Sequence, residues 1–458
     1  MSQNESGITS NLYLVKGAVV AALGGLLFGF DTAVIAGAIG DLTRTYNLTP
    51  GLLGVTVSSA LLGTIFGAML AGLPSDRFGP RDTLRILAIF YFVSALGCAL
   101  AWDWYALLFF RIIGGLAIGG SSVLGPMYIA EISPAGERGW LVAFFQFNVV
   151  AGILLAYFSN YLFGLANLGA AEWRWMLGIA ALPAVVFFVM LFGIPNSPRW
   201  LMRKDRSEEA GEVLRLLGEQ QYEQRLQEIK ESIQLENVAA HAQLFTRRYA
   251  FPIFLAVSIG FFNQLSGINA IVYYMTFIFN AAGFGTVSAS LQSVVVGLTL
   301  LIFTTAGMLT VDRVGRKTLL LIGAVGMTAC QLGLALIFLR HEHLHLLLWL
   351  LMGYIAFFAL SQGTVIWIYL GEVFPNTVRA KGQSLGSFAH WFMNALISLV
   401  FPAFAASSAA YPFLLFAIMT SLQFVVVLLV YPETKGLTLE EMHRVLRLPA
   451  PAPMEKPV

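Results

Sequence analysis

Apolar residues run in stretches about twenty long, parted by short polar segments, and the pattern recurs along the whole chain. A stretch of that length matches the hydrocarbon thickness of a bilayer, so each predicts a membrane-spanning helix. Twelve are expected, at 16–40, 52–73, 84–102, 105–129, 140–164, 175–194, 251–281, 287–310, 318–340, 345–371, 383–405 and 411–431. The pattern breaks between the sixth and seventh. Residues 201–249 are rich in Glu, Arg, Lys and Gln, with Ser207 before Glu208 and Glu209 as a helix start and Val213, Leu214 and Leu217 as an apolar stripe. Short amphipathic helices are expected there. The chain thus divides into a six-helix half at 1–200, a linker at 201–249, a second six-helix half at 250–431 and a tail at 432–458.

Composition agrees with a polytopic membrane protein. The 458 residues are 58% hydrophobic and 11% charged, and the mean hydropathy of +0.76 lies outside the soluble globular range. The first span lacks a basic leader and is too long for a signal sequence, so it is expected to stay in the mature protein. Cys98 and Cys330 both fall inside predicted spans, which leaves no disulfide framework and no metal-ligand spacing. With both termini cytoplasmic, all but four of the 27 Lys and Arg lie on the inner side: Arg44, Arg174 and Arg340 are in outer loops and Arg111 is within a span. That distribution obeys the positive-inside rule. The net charge of +2 is therefore topological and carries no indication of nucleic-acid binding.

One acidic residue, Asp31, falls in the middle of the first span, where hydrocarbon offers a carboxylate no solvation and a functional role with a partner is the default expectation. Arg111 in the fourth span is that partner on depth. Asp31 lies about nine residues from the outer end of its helix and Arg111 about eight beyond the outer Trp102 and Trp104, which puts both roughly 12–14 Å below the outer surface. A carboxylate paired with Arg111 is held charged; once protonated it releases the guanidinium, so proton occupancy and helix packing are linked.

The halves repeat each other. Asp76-Arg77-Phe78-Gly79-Pro80-Arg81 follows the second span and Asp312-Arg313-Val314-Gly315-Arg316-Lys317 follows the eighth; Glu131 and Arg138 after the fourth span match Glu372 and Arg379 after the tenth. Such matched charges at equivalent places describe a duplicated bundle of the kind used by secondary transporters. With them go Arg111-Ile112-Ile113-Gly114-Gly115, Glu131-Ile132-Ser133-Pro134, Trp173-Arg174-Trp175-Met176, Ser197-Pro198-Arg199-Trp200-Leu201, Asn263-Gln264-Leu265-Ser266-Gly267-Ile268-Asn269, Glu372-Val373-Phe374-Pro375 and Pro432-Glu433-Thr434-Lys435-Gly436. Over nearly its whole length the sequence resembles the sugar porter branch of the major facilitator superfamily.

That resemblance implies an all-α fold of twelve transmembrane helices in two pseudo-symmetric halves, and alternating-access transport of a neutral monosaccharide. An acidic residue at the Asp31 position goes, in that family, with proton symport and an amide with facilitated diffusion. A sugar needs neutral hydrogen-bonding groups and flat apolar surface, and mid-membrane positions supply them: Asn263, Gln264, Asn269, Tyr273 and Tyr274 in the seventh span, Gln146 in the fifth, Trp367 in the tenth, Trp391 and Asn394 in the eleventh. The Ser266-Gly267 pair is placed to loosen the seventh helix and aim its amides at a cavity. By resemblance Gln146, Gln264, Asn269, Trp367, Trp391 and Asn394 are sugar contacts, with Phe28 and Tyr273 closing on the ligand. Asn263 departs from the usual glutamine, Gly363-Thr364-Val365-Ile366-Trp367 lacks the usual proline, and His390 stands where an amide is common.

The repeated loop charges have a mechanical reading as a cytoplasmic gate, with Asp76, Arg77 and Arg81 pairing with Glu131 and Arg138, and Asp312, Arg313 and Arg316 with Glu372 and Arg379. Exposed pairs are each worth only ~0–1 kcal/mol, so such a network biases a conformational equilibrium rather than locking it. His341-Glu342-His343-Leu344-His345 satisfies the H-E-x-x-H zinc-protease spacing, but it falls in a short outer loop without the helix that chemistry needs. No metal site and no cofactor are expected, no phosphate-binding glycine loop is present, and the proton gradient is the driving force. The expected protein is a proton–monosaccharide symporter rather than an enzyme, acting as a monomer in a bacterial inner membrane. A facilitative uniporter and a non-transporting sugar receptor are the alternatives.

Overall fold

The computed structural model describes residues 12–134, 136–239, 243–375, 377–437 and 439–446. Among them every regular element is helical. Twelve spans are long and apolar enough to cross a membrane: Leu12–Tyr46, Pro50–Leu70, Pro80–Ala99, Trp104–Ile132, Arg138–Ala166, Gly169–Gly193, Arg247–Tyr273, Thr286–Val314, Arg316–Arg340, Leu344–Glu372, Arg379–Ser407 and Ala410–Val430. Their ends are set by local chemistry that hydropathy does not register. The second span begins at Pro50, whose missing N–H costs nothing there, with Thr49 Oγ1 accepting from Leu52 N; Asp103 Oδ1 accepts from Ala106 N (2.7 Å) at the start of the fourth.

Two spans are interrupted. In the seventh, the helix stops at Leu265, Gly267 turns with φ +86°, and a new helix runs Ile268–Tyr273, followed by Met275–Ala281. The tenth breaks at Ser361, between Leu347–Leu360 and Gln362–Glu372. Between the sixth and seventh spans lie Pro198–Arg203, Ser207–Leu216 and Tyr222–Ala239. Val213, Leu214 and Leu217 are buried, in one core with Leu201 and residues of the first, third, fourth and sixth spans. Ser207 is itself helical and does not cap: the preceding residue, Arg206, pairs with Glu209 instead. Of the expected tail, residue 438 and residues 447–458 lie outside the described residues, as do residues 1–11.

The chain packs as two compact units. The first comprises Met1–Leu235, Asn269–Leu301 and Asn394–Ala409; the second comprises Glu236–Ile268, Ile302–Met393 and Ala410–Val458. This division differs from the halves marked by the repeat, because the seventh, eighth and eleventh spans are each shared between units. In the first unit, small residues bring backbones together. A Cβ at Gly29 would overlap Val149 O, and one at Gly152 would overlap Leu26 O, so the first and fifth spans meet through reciprocal glycines. The later stretches join the same unit by equally close contacts: Gly54 faces Leu399 O, and Tyr157 Oη donates to Val272 O (2.8 Å). The second unit has its own core around Leu255, Ile259, Leu320, Ile366, Tyr369 and Val427.

Candidate functional site

Asp31 is partly buried on the first span, and Arg111, 5% exposed, lies on the fourth. They are close enough for the Arg111 charge to act on Asp31. No direct ion pair joins them. Arg111 Nε instead donates to Thr56 O (3.1 Å) on the second span, and Thr56 Oγ1 accepts from Trp104 Nε1 (2.8 Å). Gly114 on the fourth span lies beside the carboxylate: a Cβ there would be in ordinary contact with Asp31 Oδ2, at 3.8 Å, and would collide with Ser94 Oγ instead. The pairing expected from depth is thus a through-space relation, with the guanidinium held by a backbone carbonyl. Tyr91, bonded to Ser121 (2.8 Å), and Tyr273 also lie within electrostatic range of Asp31.

The other candidate residues of the first unit fall into two groups. Tyr273 Oη accepts from Asn394 Nδ2 (3.2 Å), and Asn394 Oδ1 accepts from Ser398 Oγ (3.3 Å), so the seventh and eleventh spans are tied at two of the residues singled out for sugar contact. Phe28 packs against the core of the N-terminal spans. Gln146 and Asn269 are partly buried, and the Gln146 side chain makes no hydrogen bond among the described residues.

In the second unit, Asn263 and Gln264 are buried side by side, Gln264 Nε2 donating to Asn263 Oδ1 (3.0 Å). The same Nε2 stands 3.3 Å from each ring nitrogen of His390. The imidazole is flanked by Trp367 (centroids 5.1 Å apart) and Trp391 (5.2 Å). Two amides, an imidazole and two indoles therefore form one cluster with no charged member, which is chemistry suited to hydroxyl and C–H groups. His390 belongs to this cluster although sequence reasoning left it out of the contact set. Its signal was its position, immediately before Trp391.

At the end of the molecule that carries the linker helices, the charges do not pair as their spacing suggested. Arg81 binds Asp82 (3.0 Å) and Ile194 O (3.2 Å); Asp76 approaches Arg203 (3.6 Å); Arg77 lies over the Phe78 ring. Glu131 lines a cleft with Ser133, Leu214, Leu217 and Arg225, and Arg138 has Arg199 and Arg225 as charged neighbours. Arg81 is thus taken by the carboxylate next to it and Asp76 by an arginine of the linker, while Arg77 rests on a ring.

The matching place in the second unit is more highly ordered. Arg316 is gripped by Glu372 through two bonds (2.8 and 3.2 Å) and by Asp312 (3.0 Å), whereas Arg379 turns to Phe374 O (3.3 Å) and Arg313 stays outside the network. Glu433 was missed. Its carboxylate accepts from the backbone N–H of Arg316 (2.9 Å), Lys317 (3.0 Å), Thr434 (3.0 Å) and Lys435 (3.1 Å), while Thr434 Oγ1 donates to Glu372. Burial alone would raise this carboxyl, but the four N–H donors hold it below the ordinary carboxylate value. The ninth helix starts after Gly315 (φ +99°) with no Ser, Thr, Asp or Asn to cap it, and an uncapped start requires an acceptor from elsewhere. That was the available signal.

In the loop after the ninth span, the His343 and His345 rings lie 5.8 Å apart, and among the described residues no group of three His, Cys, Asp or Glu could hold a metal ion.

Residues 17–446 match the family model described as "Sugar (and other) transporter". The chain is 37% identical over 434 residues to the arabinose-proton symporter of Bacillus subtilis, covering 93% of each protein. It is 36% identical over 473 aligned positions to the D-xylose-proton symporter of Escherichia coli, covering 94% of this chain and 95% of that one. The Escherichia coli xylose transporter XylE, solved in a partially occluded inward-open conformation, superposes with a TM-score of 0.84 at 36% identity over 93% of this chain and all of that one. The same transporter bound to 6-bromo-6-deoxy-D-glucose gives 0.78 over 95% and 99%.

Proposed function

Because this chain belongs to the sugar transporter family, we propose that it carries a neutral monosaccharide, a pentose or hexose, across a membrane together with a proton. The protein is a multi-pass membrane carrier, and transport by alternating access requires no chemical step and no cofactor beyond the proton gradient. Both termini are assigned to the cytoplasm, the membrane to a bacterial inner membrane, and the working unit to a monomer.

The observation that carries the coupling is the partly buried carboxylate of Asp31 in the first span, beside an arginine whose charge it feels without being bound to it. Such a carboxylate can take and lose a proton without first breaking an ion pair. The uncharged amide and indole cluster of Asn263, Gln264, Trp367 and Trp391 supports a neutral, polyhydroxylated solute. By family resemblance, Asn394, Tyr273, Gln146, Asn269 and Phe28 of the first unit are also proposed as sugar contacts.

The test is a pH-electrode or dye measurement on proteoliposomes given D-xylose, L-arabinose and D-glucose in turn. Addition of the right sugar should alkalinise the medium on the side of addition. Sugar flux with no proton movement would make the protein a facilitative carrier, and binding with no flux would make it a receptor.

A further inference from the structure

A helix that stops inside a membrane leaves carbonyl groups whose amide partners are gone and which no water reaches, so other groups must satisfy them. In the seventh span that carbonyl is Ser266 O. It accepts from Gln331 Nε2 on the ninth span (2.7 Å) and from Tyr354 Oη on the tenth (2.9 Å). Ser266, Gln331 and Tyr354 are fully buried. The turn is also closed from its own side, by Ser266 Oγ donating to Asn263 O (2.6 Å) and Gly267 N donating to Gln264 O (2.9 Å), while Phe416 lies where any side chain at position 267 would go.

Gln331 shows what the arrangement is for. Its Oε1 is buried with no hydrogen-bond partner among the described residues, an unfavourable condition that a hydrocarbon side chain of the same size would avoid. The donor end of the amide is the end that is used, and it holds Ser266 O. Asn263 and Gln264 lie within one turn of this carbonyl, and Asn263 Nδ2 reaches on to Gln362 O (3.5 Å), the first residue after the interruption of the tenth span.

We propose that Gln331 and Tyr354 are positioning residues for sugar binding: by clamping the broken end of the seventh span they set the register in which Asn263 and Gln264 face the solute. The proposal rests on the reading of those two amides as sugar contacts. Because one carbonyl has two donors, loss of either leaves it satisfied and loss of both leaves it bare, so the effects are more than multiplicative.

The experiment uses the full-length protein in detergent and in proteoliposomes, with radiolabelled D-xylose, L-arabinose and D-glucose as probes. Tyr354→Phe and Gln331→Met should each weaken binding of the preferred sugar about threefold, and the double variant about thirtyfold or more, with maximal exchange rate within about twofold of the parent. Thr420→Val, which removes a buried hydroxyl bonded only within its own helix, serves as control and should leave affinity unchanged. The decisive arm repeats Tyr354→Phe in a Gln264→Ala background, where the clamp has only Asn263 left to position and its effect should shrink. An equal loss of affinity in both backgrounds, or a double variant that binds sugar like the parent, overturns the proposal. Failure of the double variant to fold leaves the single-variant cycle with Gln264→Ala to decide. Parent protein that binds none of the sugars overturns the underlying reading of the amides, and that result is seen before any variant is made.

Discussion

Asp31 and Arg111 are separated in their attachments, since the guanidinium answers to Thr56 O and, among the described residues, the carboxylate to no hydrogen-bond donor. Asp31→Asn should therefore abolish accumulation of sugar against a gradient while leaving counterflow exchange intact, as read by radiolabelled uptake; undiminished accumulation would remove Asp31 from the coupling step. Gln264→Ala should weaken sugar binding by ~1–3 kcal/mol, the cost of losing one or two buried hydrogen bonds, measured by equilibrium binding. Both residues were legible in the sequence because a charge or an amide in mid-membrane is rare enough to stand out. The hold of Thr56 on Arg111 was not, since a backbone carbonyl acceptor has no side-chain signature. Nor was the capture of Arg81 by Asp82, because neighbouring and distant carboxylates read alike in a charge pattern.

The ninth helix is capped by a residue from beyond the twelfth, and the energetics of that cap are testable. Glu433→Gln should cost about 1 kcal/mol, the usual value of a helix cap, and lower the melting temperature in detergent at neutral pH. The folded-state carboxyl lies below its ordinary value, so its contribution is present above that value and is lost as pH falls through the folded one. The gap between parent and variant should consequently persist to mildly acid pH and close only below the ordinary carboxylate range. Equal melting at pH 7 would count against the cap. The equivalent junction in the first unit is built differently. Pro80 offers no N–H, and the residue against Gly79 is the neutral Asn196, which accepts from Ser197 N (3.0 Å). Donor and carboxylate are absent together. The break at Ser266-Gly267 was signalled by glycine beside serine; the one at Ser361 carries a similar mark in Ser361-Gln362-Gly363-Thr364, which a hydropathy average over the whole span conceals.

Across the molecule, the twelve spans followed directly from hydropathy, because twenty apolar residues have few alternatives to a membrane helix. The grouping of span segments did not follow, since it depends on where small residues let backbones touch and where helices break, and an averaged profile records neither. Gly54 gives a test of that grouping. A leucine there would collide with Leu399 O, so hydrogen exchange over 394–409 should accelerate in Gly54→Leu, while exchange over 316–340, in the other unit, stays unchanged. Unaltered protection over 394–409 would contradict the packing. Glu433 bears on the whole carrier in a further way. A carboxylate surrounded by four peptide donors is a rivet, held in its charged form below the ordinary carboxylate range, and a rivet cannot report on its surroundings. The corner it fastens is deaf to the electrochemical gradient, in keeping with the proposal that the gradient is heard at Asp31 in the first span.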